Sequence, residues 1–194
     1  MSKIYFEEEL QMIKNEEVKS IVIDVLKQVK DEFYHAAASS TGKYHPEYAL
    51  GDGGLYRHTR AAVKIANDLL CLEWYKNLFN DIERDCIIAA LILHDTCKSG
   101  KDWESQYTMH THPILAANLV IQQSNGISHG NLIADCIACH MGQWNEPGRW
   151  NKPGDRNVLP KPERDIEFFV HLCDYLASRK FLEVKGLYDD DMNI

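Results

Sequence analysis

The chain has 194 residues, of which 45% are hydrophobic and 26% charged, proportions of an ordinary globular domain rather than a disordered segment. Lys and Arg number 21 against 29 Asp and Glu, for a net charge of −8, which argues against a protein that holds long nucleic acid by charge alone. Nine histidines stand out, because histidine is the commonest metal ligand and titrates near neutral pH. The first nine residues carry no basic-then-apolar leader pattern. The best apolar stretch, Cys86 to Leu93, is too short to span a bilayer. A soluble, cytoplasmic chain with no membrane partner is expected, its six cysteines kept reduced.

Residues 7–37 read as one long helix, with Val18, Ile21, Val22, Val25, Leu26 and Val29 at helical steps. That apolar stripe suits a core or a homodimer contact equally. A polar, glycine-containing break follows from Ser39 to Gly54. The spacing then predicts a helix over 56–79, with Ala62, Ile65, Ala66, Leu69 and Leu70 on one face. The next, over 81–96, is almost wholly apolar from Cys86 to Leu93 and is expected to be the most buried. Pro113 suits the first turn of a helix running to Ser124, which Asn125-Gly126 closes. Another helix is expected over 129–141. The longest irregular stretch, Gly142 to Pro162, carries Trp144, Trp150, Arg149 and Arg156. A last helix over 163–184 precedes an acidic tail, 185–194. No alternating strand pattern occurs, so the expected fold class is all-α. Residues 41–184 form the expected domain, and residues 1–40 a helical extension packed on the bundle.

Cys136-Ile137-Ala138-Cys139-His140 has the spacing of covalent haem attachment. On an apolar helix those cysteines read as small buried residues instead, and no haem is expected.

Placed on these helices, His58, the His94-Asp95 pair, His112, His140 and Asp174 come from five separate elements and turn toward one interior. Burying so many polar groups without partners costs kcal/mol apiece. A shared cation removes that cost by making ligands of them. Of the other histidines, His35, His45 and His129 read as exposed or helix-end residues. His110 and His171 read as candidate contacts to ligands or substrate.

The order His58, His94-Asp95, Asp174 resembles the signature of the HD-domain metal-dependent phosphohydrolase superfamily over roughly residues 44–180. Gly53-Gly54-Leu55-Tyr56-Arg57-His58-Thr59 and Ala90-Leu91-Ile92-Leu93-His94-Asp95-Thr96-Cys97-Lys98 are similar to its two leading motifs, with Cys97 where a Gly often precedes the Lys. The resemblance implies an HD-type helical bundle with a metal site in its core. His112 and His140 look like the extra ligands of the dinuclear branch. His58, His94, Asp95 and Asp174 would then hold one divalent ion, and Asp95 would bridge to a second held by His112 and His140. Gly-Gly-Leu-x-x-His-Thr and the stretch from His140 to Pro147 are most similar to the HD domain of bacterial 3′–5′ exoribonucleases, which carry a separate oligonucleotide-binding domain in front.

The chemistry so implied is hydrolysis of a phosphoester of a nucleotide or short oligonucleotide, cyclic ones included. A hydroxide held between two divalent ions would attack phosphorus directly, with Asp95 and Lys98 as catalytic residues. Imidazoles and carboxylates without thiolate suit Mn, Fe, Co, Ni or Zn. His110, Trp144, Arg149 and Arg156 are candidate substrate contacts, Trp144 by stacking on a base and the arginines by meeting phosphate. Two other readings stay open: a dinuclear non-haem iron oxygenase, a branch of the superfamily that resembles this ligand order equally well, and a nucleotide-binding sensor whose site has lost turnover.

Overall fold

The computed structural model describes residues 5–39, 42–148 and 157–181. Within them the chain is helical, with no strands. In order the helices are α1 (Glu7–Met12), α2 (Glu16–Leu26), α3 (Glu32–His35), α4 (Gly54–Leu70), α5 (Glu73–Leu78), α6 (Asp81–Leu93), α7 (His112–Gln123), α8 (Ser128–Ala138) and α9 (Asp165–Ala177). Short 3-10 turns cover Glu47–Ala49 and Gly142–Trp144. None of the described helices is long and apolar enough to cross a membrane.

Helix α6 is the axis of the bundle. Asn80 and Glu83 cap each other's backbone at its start, and every residue from Asp85 to Leu93 is buried. A helix apolar on all sides needs neighbours on all sides, and α1, α2, α4, α8 and α9 supply them. Packing of α4 against α9 and of α7 against α8 completes the frame.

The expected long first helix is three helices instead. Asn15 accepts from the backbone N–H groups of Glu17 and Val18, an N-cap that starts a new helix rather than continuing an old one. The carboxylate of Asp85 takes the N–H groups of Lys14 and Asn15 at 3.1 and 2.6 Å, holding the break against α6. Val18, Ile21, Val22 and Val25 are buried in the same core cluster as Leu91 and Val170, so the stripe serves this chain's own core. The helix expected over 56–79 begins at Gly54 and is interrupted at Leu72, whose backbone is extended. Helix α6 stops at Leu93 rather than 96, α8 at Ala138 rather than 141, and α9 at Ala177 rather than 184. The tail 185–194 lies outside the described residues.

Candidate metal centre

Each ligand-type side chain owes its position to a helix end or a close approach. Gly53 adopts a left-handed φ of 68° at the start of α4, which only glycine does without strain. A Cβ on Gly54 would collide with the carbonyl of Ala49. The glycine pair therefore lets α4 begin against the preceding loop, and His58 follows one turn in. His94 caps the C-terminal end of α6, with Asp95 next to it. His112 is the first residue of α7, followed by Pro113. His140 lies in the turn after α8, and Asp174 on α9.

These six residues meet. His58 Nε2 is 2.9 Å from Asp174 Oδ1, and His94 Nε2 lies 3.5 Å from the same oxygen. Asp95 presents its two oxygens to two different pairs. Oδ2 faces His94 at 3.4 Å and His58 at 4.0 Å, while Oδ1 faces His112 at 3.1 Å and His140 at 3.9 Å. His94, His112 and His140 each place Nδ1 within 2.6–2.7 Å of a backbone carbonyl three residues earlier. Only an N–H satisfies a carbonyl, so in the neutral rings the proton sits on Nδ1 and Nε2 offers a lone pair inward.

That arrangement fits a cation. The Nε2 atoms of His112 and His140 are 3.2 Å apart, two lone pairs with no hydrogen between them when both rings are neutral. His94 Nε2 and Asp95 Oδ1 are buried with no hydrogen-bond partner among the described residues, an arrangement that costs about 1–3 kcal/mol per group if nothing compensates. Three overlapping sets can hold an ion: His58, His94 and Asp95; His94, His140 and Asp174; and Asp95, His112 and His140.

Electrostatics follow the same geometry. Burial would raise the Asp95 carboxyl, but the Lys98 ammonium and His94 outweigh it and hold the group well below the usual carboxylate range. Burial likewise opposes ionisation of Asp174, and His58, 2.9 Å from its Oδ1, together with the His94 ring at 3.5 Å holds it low. Burial also pushes His94 down, yet the carboxylates of Asp95 and Asp174 raise it to about 10. His140 is lowered to about 3 by burial and by its neighbours His94 and His112.

A cavity of about 510 Å³ opens over the cluster and is lined by Tyr44, His45, Lys98, Trp144, Ser178 and Arg179, among others. Lys98 is no surface cation. Its side chain is 14% exposed and its ammonium hydrogen-bonds Asp95. Trp144 stacks on Tyr175 with ring centroids 5.7 Å apart. Arg179 lies over both rings, 4.4 Å from Tyr175 and 5.9 Å from Trp144, and donates to Ser178 Oγ.

Not every expected residue joins the site. The ring of His110 meets the carbonyl of Asn157 at 3.0 Å and does not line the cavity; its part is to hold the returning chain. Arg149, Arg156 and Trp150 lie outside the described residues. His35 and His129 keep surface partners, Asp52 and Glu17. His171 places Nδ1 2.7 Å from the carbonyl of His140. In the segment Cys136 to His140 both cysteines are buried and free, burial pushes their thiols up, that of Cys139 to about 12, and His140 faces the cluster.

His45 corrects the expectation of an exposed residue. It lines the cavity with its ring 5.3 Å from that of His58 and its Nδ1 buried. Burial, then His58 and Lys98, lower it to about 3. No periodicity marks a residue in an irregular loop, so the pattern of helical steps could not find it. Arg179 was also missed, although Ser178, four residues after Asp174, is on the cavity by the same helical step that places the aspartate.

No curated protein and no solved structure matches the chain. The family model of the HD domain matches residues 55–179, from the first turn of α4 to just past α9, and so takes in all six residues of the cluster. The chain belongs to the HD domain family, whose members are generally metal-dependent phosphohydrolases.

Proposed function

We propose that the protein is a metal-dependent phosphohydrolase that cleaves a phosphoester of a nucleotide or short oligonucleotide at a dinuclear centre. The observation that carries this reading is Asp95. Its Oδ2 faces His58 and His94, and its Oδ1 faces His112 and His140. One carboxylate thus addresses two ligand sets, which suits two ions sharing a bridge. His58, His94, Asp95 and Asp174 would hold one, and Asp95, His112 and His140 the other. Bound there, divalent ions supply Lewis acidity toward a phosphoryl oxygen and lower the pKa of water toward neutrality. The donor set of imidazole and carboxylate without thiolate favours Mn, Fe, Co, Ni or Zn over Mg or Ca.

The chain's own residues supply the rest. Backbone carbonyls behind His94, His112 and His140 fix the ring orientation before any ligand arrives. Lys98 brings a largely desolvated ammonium to the edge of the cluster, where charge on a phosphoryl group is stabilised most. Its presence weighs for phosphoryl chemistry over the iron-oxygenase reading. Arg179 and the Trp144–Tyr175 stack offer a cation and aromatic surface at the rim, matching a substrate with both phosphate and base.

The test is metal analysis of protein purified without chelator, followed by assay with Mn²⁺ or Co²⁺ against mononucleotides, cyclic dinucleotides and short single strands. Hydrolysis that Asp95→Asn lowers by more than about 100-fold, in a folded protein, is the expected result. Full activity in that variant would rule out the mechanism.

A further inference from the structure

The four histidines of the cluster are not held alike. His94, His112 and His140 each set Nδ1 against a backbone carbonyl, whereas Nδ1 of His58 is buried with no hydrogen-bond partner among the described residues. His58 Nε2 lies 2.9 Å from Asp174 Oδ1. A carboxylate only accepts, so in the neutral ring the proton sits on Nε2 and Nδ1 keeps a lone pair. To ligate a cation, His58 must free Nε2, the nitrogen that faces Asp95 and Asp174. The neutral ring then carries its proton on Nδ1, which needs an acceptor.

The ring of His45 stands against that of His58, with centroids 5.3 Å apart and planes inclined at 67°. Its Nδ1 is also buried and unpaired. A proton on His58 Nδ1 turns these two nitrogens into a donor and an acceptor, a pair that bonds at about 3 Å. Thr59 Oγ1 is unpaired too, yet adjacent residues of a helix point about 100° apart, and it is His45 whose ring meets His58.

The loop carrying His45 is tied to both elements it faces. Arg57, next to His58 on α4, donates to the carbonyls of Tyr48, Leu50 and Asp52. The Tyr48 hydroxyl donates to the carbonyl of Ala177 on α9, the helix of Asp174. Just past α9, the N–H of Lys180 donates to the carbonyl of Tyr44.

We propose that His45 is the positioning residue of His58, its Nδ1 accepting from His58 Nδ1–H when the cluster holds a cation. A side chain thus does for His58 what carbonyls do for the other three. This rests on the metal centre of the reading above.

The experiment titrates Zn²⁺, in competition with a chromogenic chelator, into the full chain and into His45→Leu, His45→Asn and His45→Gln. His45→Leu removes the acceptor and should lower affinity at least about tenfold. His45→Asn sets an amide oxygen where Nδ1 stands and should restore most of the loss. His45→Gln sets its amide where Nε2 stands and should bind as weakly as His45→Leu. In Zn²⁺-loaded protein with ¹⁵N-labelled histidine, the His58 Nδ1 proton should be protected from solvent exchange in the wild type and His45→Asn, and exposed in His45→Gln. Unchanged affinity in His45→Leu, His45→Asn no better than His45→Gln, or a His58 proton protected equally in all forms overturns the inference. If His45→Leu fails to fold, the contrast between Asn and Gln decides. None of these readouts uses hydrolysis, so inactivity toward every phosphoester would sink the phosphohydrolase reading and leave this test intact. A wild-type chain that binds no Zn²⁺ overturns the metal centre and the inference with it.

Discussion

His94 and His140 have ring centroids 5.0 Å apart, yet their surroundings drive their proton affinities in opposite directions. Burial disfavours the charged form of both, but only His94 faces the carboxylates of Asp95 and Asp174 closely enough to be raised, to about 10. His140 and His45 are lowered to about 3, by burial first and then by neighbouring basic groups. The signs follow from which state binds more protons. His94 contributes stability that is fully present below its ordinary 6.5 and is lost as pH rises through about 10. His45 and His140 stay neutral in the fold, so stability falls as pH drops from 6.5 toward 3. Asp95 and Asp174, held low, contribute stability above 3.8 that is also lost on acidification. In a strong chelator, Tm should therefore peak near neutrality and decline on both sides. Saturating Mn²⁺ should remove the alkaline decline, because coordination needs His94 neutral. Thermal melts across about pH 4 to 10, with chelator and with Mn²⁺, check this; a chelator curve still rising above neutrality would sink it.

At the scale of elements, what counts is how helices end. The turn after α8 puts His140 into the cluster, and Gly142 makes that turn with φ +54°. A Cβ at Gly142 would collide with the ring of His171, whose Nδ1 meets the carbonyl of His140. Gly142→Ala thus combines backbone strain with loss of the contact that holds His140. It should cost about 1–3 kcal/mol of stability and lower metal affinity by at least about tenfold, measured by competition with a chromogenic chelator. Retained affinity at a lowered Tm would show that this turn does not set His140. The helix ends are also where the sequence reading was weakest. Apolar spacing located the helices but ran through the breaks at Asn15 and Leu72, since a cap or one extended residue leaves the 3.6-residue period almost intact.

Over the whole molecule, the N-terminal helices and the bundle share one core. Phe6, Ile13 and Val22 belong to the same buried cluster as Ala62, Leu93 and Val170. Arg60 on α4 reaches Glu9 at 2.8 Å and Glu8 at 2.7 Å on α1, and the Arg60 and Glu9 side chains are only 10% and 6% exposed. Removing one partner strands the other charge in a poorly solvated place. Arg60→Met should cost about 3 kcal/mol, and Arg60→Met with Glu9→Met should recover most of that loss. Urea unfolding is expected to show a single transition in all forms. An early separate transition of the N-terminal helices, or no recovery in the double variant, would contradict it.

The sequence by itself determined the fold class and the six residues of the cluster. A helix period is local, so Asp174, in phase with the apolar stripe of α9, points inward wherever that helix lies, whereas His94, His112 and His140 sit at helix ends and were legible from their order along the chain. It also singled out Lys98 and Trp144, which line the cavity. Only the tertiary structure decided how the ligands pair: that Asp95 divides its oxygens between two histidine pairs, that His110 turns away to Asn157, and that His45 and Arg179 reach the cavity. Those facts depend on distances between segments far apart in the chain and on loops without periodicity, which no local pattern encodes. The histidine excess and the charge of −8 with which the chain first presented itself thus resolve into a concentrated site, where four of the nine histidines and two aspartates cluster beneath a cavity that Lys98 and Arg179 also line.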